Sequence, residues 1–215
     1  MHKIVKGALT FRRHIFGAYR DHFQRLATEQ EPDTLFITCS DSRMVPSLIT
    51  STDPGDLFVV RNIGNLVPPY SGETDQPMSV GAAVEYAVEI LGVKHILVCG
   101  HSNCGAMRTL LRPPSGTVPS VQTWLRSARE AVELLEKHEP LPDEQARANL
   151  LSELNVLVQI KHLKTYPCVW QKLESGQLKL VAWFFEIEGA QLHFYDAEME
   201  QFVPFSEQSA AKALS

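Results

Sequence analysis

Three short runs, TLFIT (34–38), LFVVRN (57–62) and HILVC (95–99), are made almost wholly of apolar and β-branched residues and lack polar alternation. A strand with one wet face alternates with period two, so strands without that alternation are covered on both faces. Turn signals and segments of helical periodicity separate the runs. Strands interleaved with helices read as α/β, with a central, mostly parallel sheet flanked by helices. This fold also predicts where chemistry gathers, just beyond the carboxyl ends of the strands.

The rest of the chain fits that frame. Residues 3–27 read as one or two helices in which Phe11, Ile15, Tyr19 and Phe23 recur every fourth position. An aromatic stripe so near a terminus predicts packing against something large. PSLIT (46–50) is a short helix opened by Pro46, and DPGD (53–56) is a turn. Residues 78–91 place Val80, Val84, Ala87, Val88 and Leu91 on one helical face, with Gly92 ending the helix. A mostly helical half follows: 120–138, 144–163 and PCVWQKLESG, capped by Gly176. Two strands, 178–187 and 191–196, close the chain across Glu188, Gly189 and Ala190. No repeat or linker divides residues 1–215, which read as one domain. Its parts are an N-terminal arm (1–29), an α/β core (30–110), a helical segment (111–176), C-terminal strands (177–205) and a polar tail (206–215).

Charge excludes some partners. The formal net charge is -5, with no basic cluster to track phosphates, so nucleic acid is not an expected partner. No apolar run approaches the roughly 20 residues of a membrane span. MHKIVKGALTFRRHIF lacks the long apolar core of a secretory signal, which predicts a cytoplasmic protein. In that compartment the four cysteines, Cys39, Cys99, Cys104 and Cys168, favour metal binding or catalysis over disulfides.

The first run ends in CSDSR, delivering Cys39, Asp41 and Arg43 directly after a buried strand. A carboxylate and a guanidinium there are costly unless paired, and each can neutralise the other. The third run ends in CGHSNCG, where His101 and Cys104 have the spacing that lets one turn offer two ligands to one metal. Gly100 and Gly105 flank the pair and allow a sharp backbone path. Cys104 begins a helix, where the dipole favours a thiolate. By spacing alone, Cys39 with His101 and Cys104 reads equally as a three-ligand zinc site or as unrelated core cysteines. Asp41 and Arg43 weigh toward the site. Three protein ligands leave a fourth corner open, as catalytic zinc requires. Cys168 as a fourth ligand is outweighed by core packing beside Tyr166, Pro167 and Trp170, and Cys99 reads as buried filler.

CSDSR followed by CGHSNCGAM, together with PGDLFVVRNIGNLVPPY (54–70) and VEYAV (84–88), resembles the β-class carbonic anhydrases. The likeness is to the bacterial and cyanobacterial branch that includes the cyanate-operon and carboxysomal enzymes, and it runs from the first helix to about Phe205. The resemblance implies one zinc ion per subunit on Cys39, His101 and Cys104, with Asp41 and Arg43 as the catalytic dyad. It implies a narrow pocket for carbon dioxide lined by Phe58, Ile63 and Tyr86. Gln30, often across a dimer interface, and the Gly105 amide serve there as polar contacts. Reversible hydration of carbon dioxide to bicarbonate and a proton follows, by zinc-bound hydroxide that Asp41 orients. Family members also let this aspartate swing onto zinc at low pH, a closed state with Asp41 as fourth ligand. The fold implied is a parallel sheet with a C-terminal edge strand and an arm that wraps a neighbouring subunit, in a homodimer, tetramer or octamer. An inhibitory bicarbonate site known in another branch uses a Trp, an Arg and a Tyr. Here Arg61 is present, but Phe36 and Phe185 replace the other two. Rival expectations are a carbonyl sulfide or carbon disulfide hydrolase on the same framework, and a non-catalytic zinc-stabilised scaffold subunit.

Overall fold

The computed structural model describes residues 2–72, 79–113, 116–138, 140–209 and 212. Its strands are β1 (Thr34–Cys39), β2 (Leu57–Asn62), β3 (His95–His101), β4 (Lys179–Glu186), β5 (Gln191–Asp196) and β6 (Gln201–Pro204). They form one sheet in the order β2-β1-β3-β4-β5-β6. The first four are parallel, and β5 and β6 add antiparallel to the β4 edge. Absence of polar alternation in β1 and β3 has its expected cause. Leu35, Ile37, Ile96 and Val98 bury against helices on one face, and Phe36, Leu97 and Cys99 join a second apolar cluster.

Strand β6 is a third closing strand where the sequence predicts two. Its four residues end in Pro204, too short a run to show a period and carrying a residue that argues against a strand. The predicted helix 120–138 is also interrupted. It consists of α6 (Pro119–Trp124), a tighter turn at Leu125–Ala128 and α7 (Arg129–Leu135). At that turn the Trp124 indole donates to the Ile63 carbonyl (2.7 Å) and the Ser127 carbonyl accepts from Gln159 Nε2 (3.3 Å). Tertiary partners thus compete with the helical ladder.

The arm comprises α1 (His2–Thr10), a wide turn at Phe11–Ile15 and α2 (Phe16–Arg25), with no buried residue. His22 Nε2 lies 2.7 Å from the Pro54 carbonyl. The stripe Phe11, Ile15, Tyr19 and Phe23 opens onto a groove of about 550 Å³ shared with Val45, Leu57 and Val59. Helix α3 (Pro46–Thr50) starts on its proline as expected. Helix α4 (Ser79–Glu85) continues through a wide turn (Tyr86–Leu91) to Gly92 at φ 66°. Val80, Val84, Ala87 and Val88 are buried on the predicted face. Residue 78, where that helix was predicted to start, lies outside the described residues, as does most of the last stretch of the tail. No helix among the described residues is long and apolar enough to cross a membrane.

Helices α5 (Gly105–Leu111), α8 (Glu144–Leu163) and α9 (Pro167–Glu174) complete the fold. Asp143 caps α8 by accepting from the Ala146 amide at 2.7 Å. Helix α8 packs on β3, β4, α5 and α7. Its approach to β3 requires Gly100, where a Cβ would meet Val156 Cγ2 at 2.7 Å and the Ser152 carbonyl at 3.2 Å. Gly100→Ala is therefore expected to cost about 1–3 kcal/mol, read from the denaturant midpoint.

Glu153 on α8 is mostly desolvated, and burial raises its pKa to about 7. A carboxyl whose pKa is higher folded than unfolded binds its proton more tightly in the folded state. Its favourable contribution is complete below the unfolded pKa and is lost as pH rises through about 7. Glu153→Gln is expected to stabilise the protein at pH 8 by on the order of 2 kcal/mol and to leave it unchanged near pH 4. Melting temperatures at the two pH values check this.

Candidate metal centre

β1 and β3 are parallel neighbours, so their carboxyl ends lie side by side. Cys39 is the last residue of β1 and His101 the last of β3. Beyond His101 the chain turns through Ser102 and Asn103 to Cys104, which immediately precedes α5. The ligand atoms of Cys39, His101 and Cys104 all lie within 4.8 Å of one another, and the three residues are buried.

The sharp path between His101 and Cys104 has a different origin from the one expected. Neither Gly100 nor Gly105 has a positive φ. Asn103 takes the left-handed conformation instead, at φ 56°. Asparagine tolerates this region better than most side chains. Around Gly105 there is open space, so sterics do not demand glycine there; at Gly100 the demand comes from α8. Ser102 ties the turn to β4 and the residue beyond it: its amide donates to the Phe185 carbonyl (3.0 Å) and its Oγ accepts from the Ile187 amide (2.9 Å).

His101 Nδ1 lies 2.8 Å from the Ser102 carbonyl. A carbonyl only accepts, so the proton sits on Nδ1 and the Nε2 lone pair is free. Nε2 is fully buried and has no hydrogen-bond partner among the described residues. An orphaned buried acceptor beside two buried thiols is costly, and a cation bound by all three atoms removes that cost. The thiols point the same way. The hydrogen bond with Cys104 holds the Cys39 thiol well below its ordinary pKa against its burial, aided by the Gly64 and Asp41 amides. The same contact, then burial and the charge on Cys39, push the Cys104 thiol up. One negative charge is easily held here; a second needs a cation to oppose it.

Asp41 and Arg43 stand at the rim. Arg43 Nε and Nη2 donate to the two carboxylate oxygens at 2.9 and 2.8 Å, and the Arg43 amide donates at 3.0 Å. This fork holds the Asp41 carboxyl far below the usual range. Asp41 Oδ2 lies 4.0 Å from His101 Nε2. Arg43 Nη2 also reaches the Asn103 carbonyl at 3.2 Å, joining the dyad to the His101–Cys104 turn.

Residues 34–192 match the family model described as carbonic anhydrase. The chain belongs to the carbonic anhydrases. A Pseudomonas aeruginosa carbonic anhydrase is 43% identical over 215 residues, covering all of this chain and 96% of that protein. One from Synechocystis is 40% identical over 206 residues, covering 94% of this chain and 74% of that protein. The structure of the β-carbonic anhydrase CcaA matches with a TM-score of 0.90 at 38% identity, over 95% of this chain and 99% of that one. The class is therefore β, in its bacterial and cyanobacterial branch.

In this carbonic anhydrase the remaining pocket candidates sit outside the metal cluster. Phe58 stacks on Tyr86 with ring centroids 5.8 Å apart. Ile63 and Tyr86 are 45% and 44% exposed, too open to enclose a substrate within one protomer. Gln30 is exposed on the segment before β1, and Gly105 is exposed at the start of α5. Cys168 lies half-buried in α9 and is not one of the clustered residues, and Cys99 is fully buried in β3. Phe36 and Phe185 are buried in one apolar cluster and bring no hydrogen-bonding side chain toward Arg61.

In the sequence Arg61 reads only as part of an inhibitory site. In the structure it braces the Cys39–Asp41 segment, donating to the Asp41 carbonyl at 2.7 Å and the Cys39 carbonyl at 3.3 Å. The available signal was its place near the end of β2, beside the strand that carries Cys39.

Proposed function

We propose that this protein catalyses the reversible hydration of carbon dioxide to bicarbonate and a proton, with one zinc ion per subunit held by Cys39, His101 and Cys104. The observation that carries the reading is the orphaned His101 Nε2 among two buried thiols, rimmed by a carboxylate that an arginine keeps ionised. Two sulfurs and an imidazole suit zinc, and three protein ligands leave a position for solvent. Zinc, when bound, makes water acidic enough to serve as a nucleophile near neutral pH.

The chain's own residues supply the rest. Asp41, kept ionised by Arg43, can only accept hydrogen bonds, so it orients the attacking water and aims its lone pair at the substrate. Carbon dioxide is uncharged and linear and needs an apolar slot with a donor for one oxygen. Phe58, Ile63 and Tyr86 form that slot, and Gln30 and the Gly105 amide provide donors. The exposure of Gln30, Ile63 and Tyr86 in one protomer supports closure of the slot by a second subunit. A homo-oligomer is further supported by a tetrameric β-carbonic anhydrase from Sordaria macrospora, similar at a TM-score of 0.78 and 31% identity. The arm 1–29, with its unburied aromatic stripe, then serves the neighbouring subunit of a single-domain chain. A cytoplasmic location fits the reduced thiols that the site requires.

Stopped-flow hydration of carbon dioxide, with and without a zinc chelator, tests the reading. Chelator-sensitive hydration is expected. Faster turnover of carbonyl sulfide or carbon disulfide would move the function to a hydrolase, and stoichiometric zinc without turnover would leave a scaffold.

A further inference from the structure

Helix α8 carries a row of polar residues three or four positions apart: Asn149, Ser152, Asn155, Gln159 and His162. Ser152, Asn155 and Gln159 are buried to within 1% of their surface. Such a row inside a packed helix is costly unless each group is satisfied. The partners are the loops around the metal centre. Asn149 Oδ1 accepts from the Asn103 amide at 2.8 Å. Ser152 Oγ donates to the His101 carbonyl (3.0 Å) and faces the His101 amide (3.3 Å). Asn155 Nδ2 donates to the Gly64 carbonyl at 3.0 Å. Gln159 accepts from the Val67 amide at 2.8 Å and donates to Asn155 Oδ1 at 2.9 Å. His162 Nδ1 donates to the Val67 carbonyl at 2.8 Å.

One helix face therefore grips two loops at once. The first is the turn that presents His101 and Cys104. The second is the 64–67 loop, whose Leu66 packs in one apolar cluster with Cys39 and Cys104. Gly100 admits the helix to this position, because a Cβ there would lie 3.1 Å from Ser152 Oγ.

We propose that Ser152, with Asn149 and Asn155 beside it, is a positioning residue for the metal centre, and that metal binding and the docking of α8 are coupled. The inference rests on the reading of Cys39, His101 and Cys104 as a metal site. Ser152 acts through the backbone of His101, setting how far the imidazole reaches toward the two sulfurs. Linkage makes the coupling reciprocal: what the helix adds to metal affinity, bound metal returns as protection of the helix.

The test uses the full chain and zinc alone. Zinc affinity is measured by competition with a chromophoric chelator, and amide hydrogen exchange of α8 is followed with and without zinc. Ser152→Ala is expected to bind zinc about 10- to 100-fold more weakly. Its α8 amides should gain little protection when zinc is added, and its cobalt-substituted form should show shifted d–d bands. Asn149→Ala, at the more exposed end of the row, should move the same way and covers the case in which Ser152→Ala does not fold. Leu163→Ala is the control: Leu163 is fully buried on the same helix but packs with Leu35, Ile37 and Val98, in a different apolar cluster from Cys39 and Cys104. It should lower the melting temperature and keep wild-type zinc affinity and cobalt bands. Wild-type affinity and zinc-dependent protection in Ser152→Ala would overturn the positioning role alone. Failure of the wild type to take up zinc would overturn the metal-site reading beneath it.

Discussion

His101→Ala is expected to abolish stoichiometric zinc uptake and, with it, carbon dioxide hydration. The imidazole is fully buried, its Nδ1 is committed to the Ser102 carbonyl, and its Nε2 has no other partner. Removing it leaves two thiols that readily share one negative charge but resist a second. Structural zinc sites with four protein ligands contribute roughly 10–16 kcal/mol of binding, about 3–4 kcal/mol per ligand, so losing one ligand costs on the order of a few hundredfold in affinity. Elemental analysis of the purified variant gives the metal content directly, and full zinc occupancy would show that His101 is no ligand. The cavity adds about 2 kcal/mol of instability, read separately from the metal-free melts.

Asp41→Ala should do the opposite: keep zinc and lose turnover. Its carboxylate is held by three hydrogen bonds from Arg43, so the variant removes an orienting group and no ligand. The expected loss in kcat is roughly 10²–10⁴-fold, the range for a positioned proton acceptor. Metal analysis alongside stopped-flow hydration separates this from ligand loss, and hydration at the wild-type rate would remove the pair from the reaction. Because Arg43 depresses the Asp41 pKa, the pair stabilises the fold above the carboxyl's unfolded pKa. That contribution disappears as pH falls through the lower folded value, so Asp41→Ala should narrow the stability gap between neutral and strongly acid solution.

The strands were legible because burial on both faces writes itself as an unbroken apolar run, as in TLFIT and HILVC. The same runs placed Cys39 and His101 near strand ends, and the structure brings them together with Cys104. Strand β6 was illegible because four residues ending in proline carry no period. The row on α8 was illegible for a different reason. Polar residues at helical spacing ordinarily mark a wet face, and only the fold shows that here they meet loop amides and carbonyls in the interior. Asn103 was passed over because its left-handed backbone leaves no trace in residue type beyond asparagine's tolerance for it. Gln30, Ile63 and Tyr86 are exposed, so the burial that marks the clustered site residues is absent from them.

Cys39 reaches the other two donors only after the chain has crossed over from β2 to lay β3 parallel to β1. An unfolded or half-synthesised chain offers only the local His101–Cys104 pair, a weak chelate. On the proposed ligand set, metal capture follows the pairing of β1 with β3 and does not nucleate it. Reconstitution from denaturant should run at the pace of long-range parallel strand pairing, and raising the free metal concentration should not hasten it.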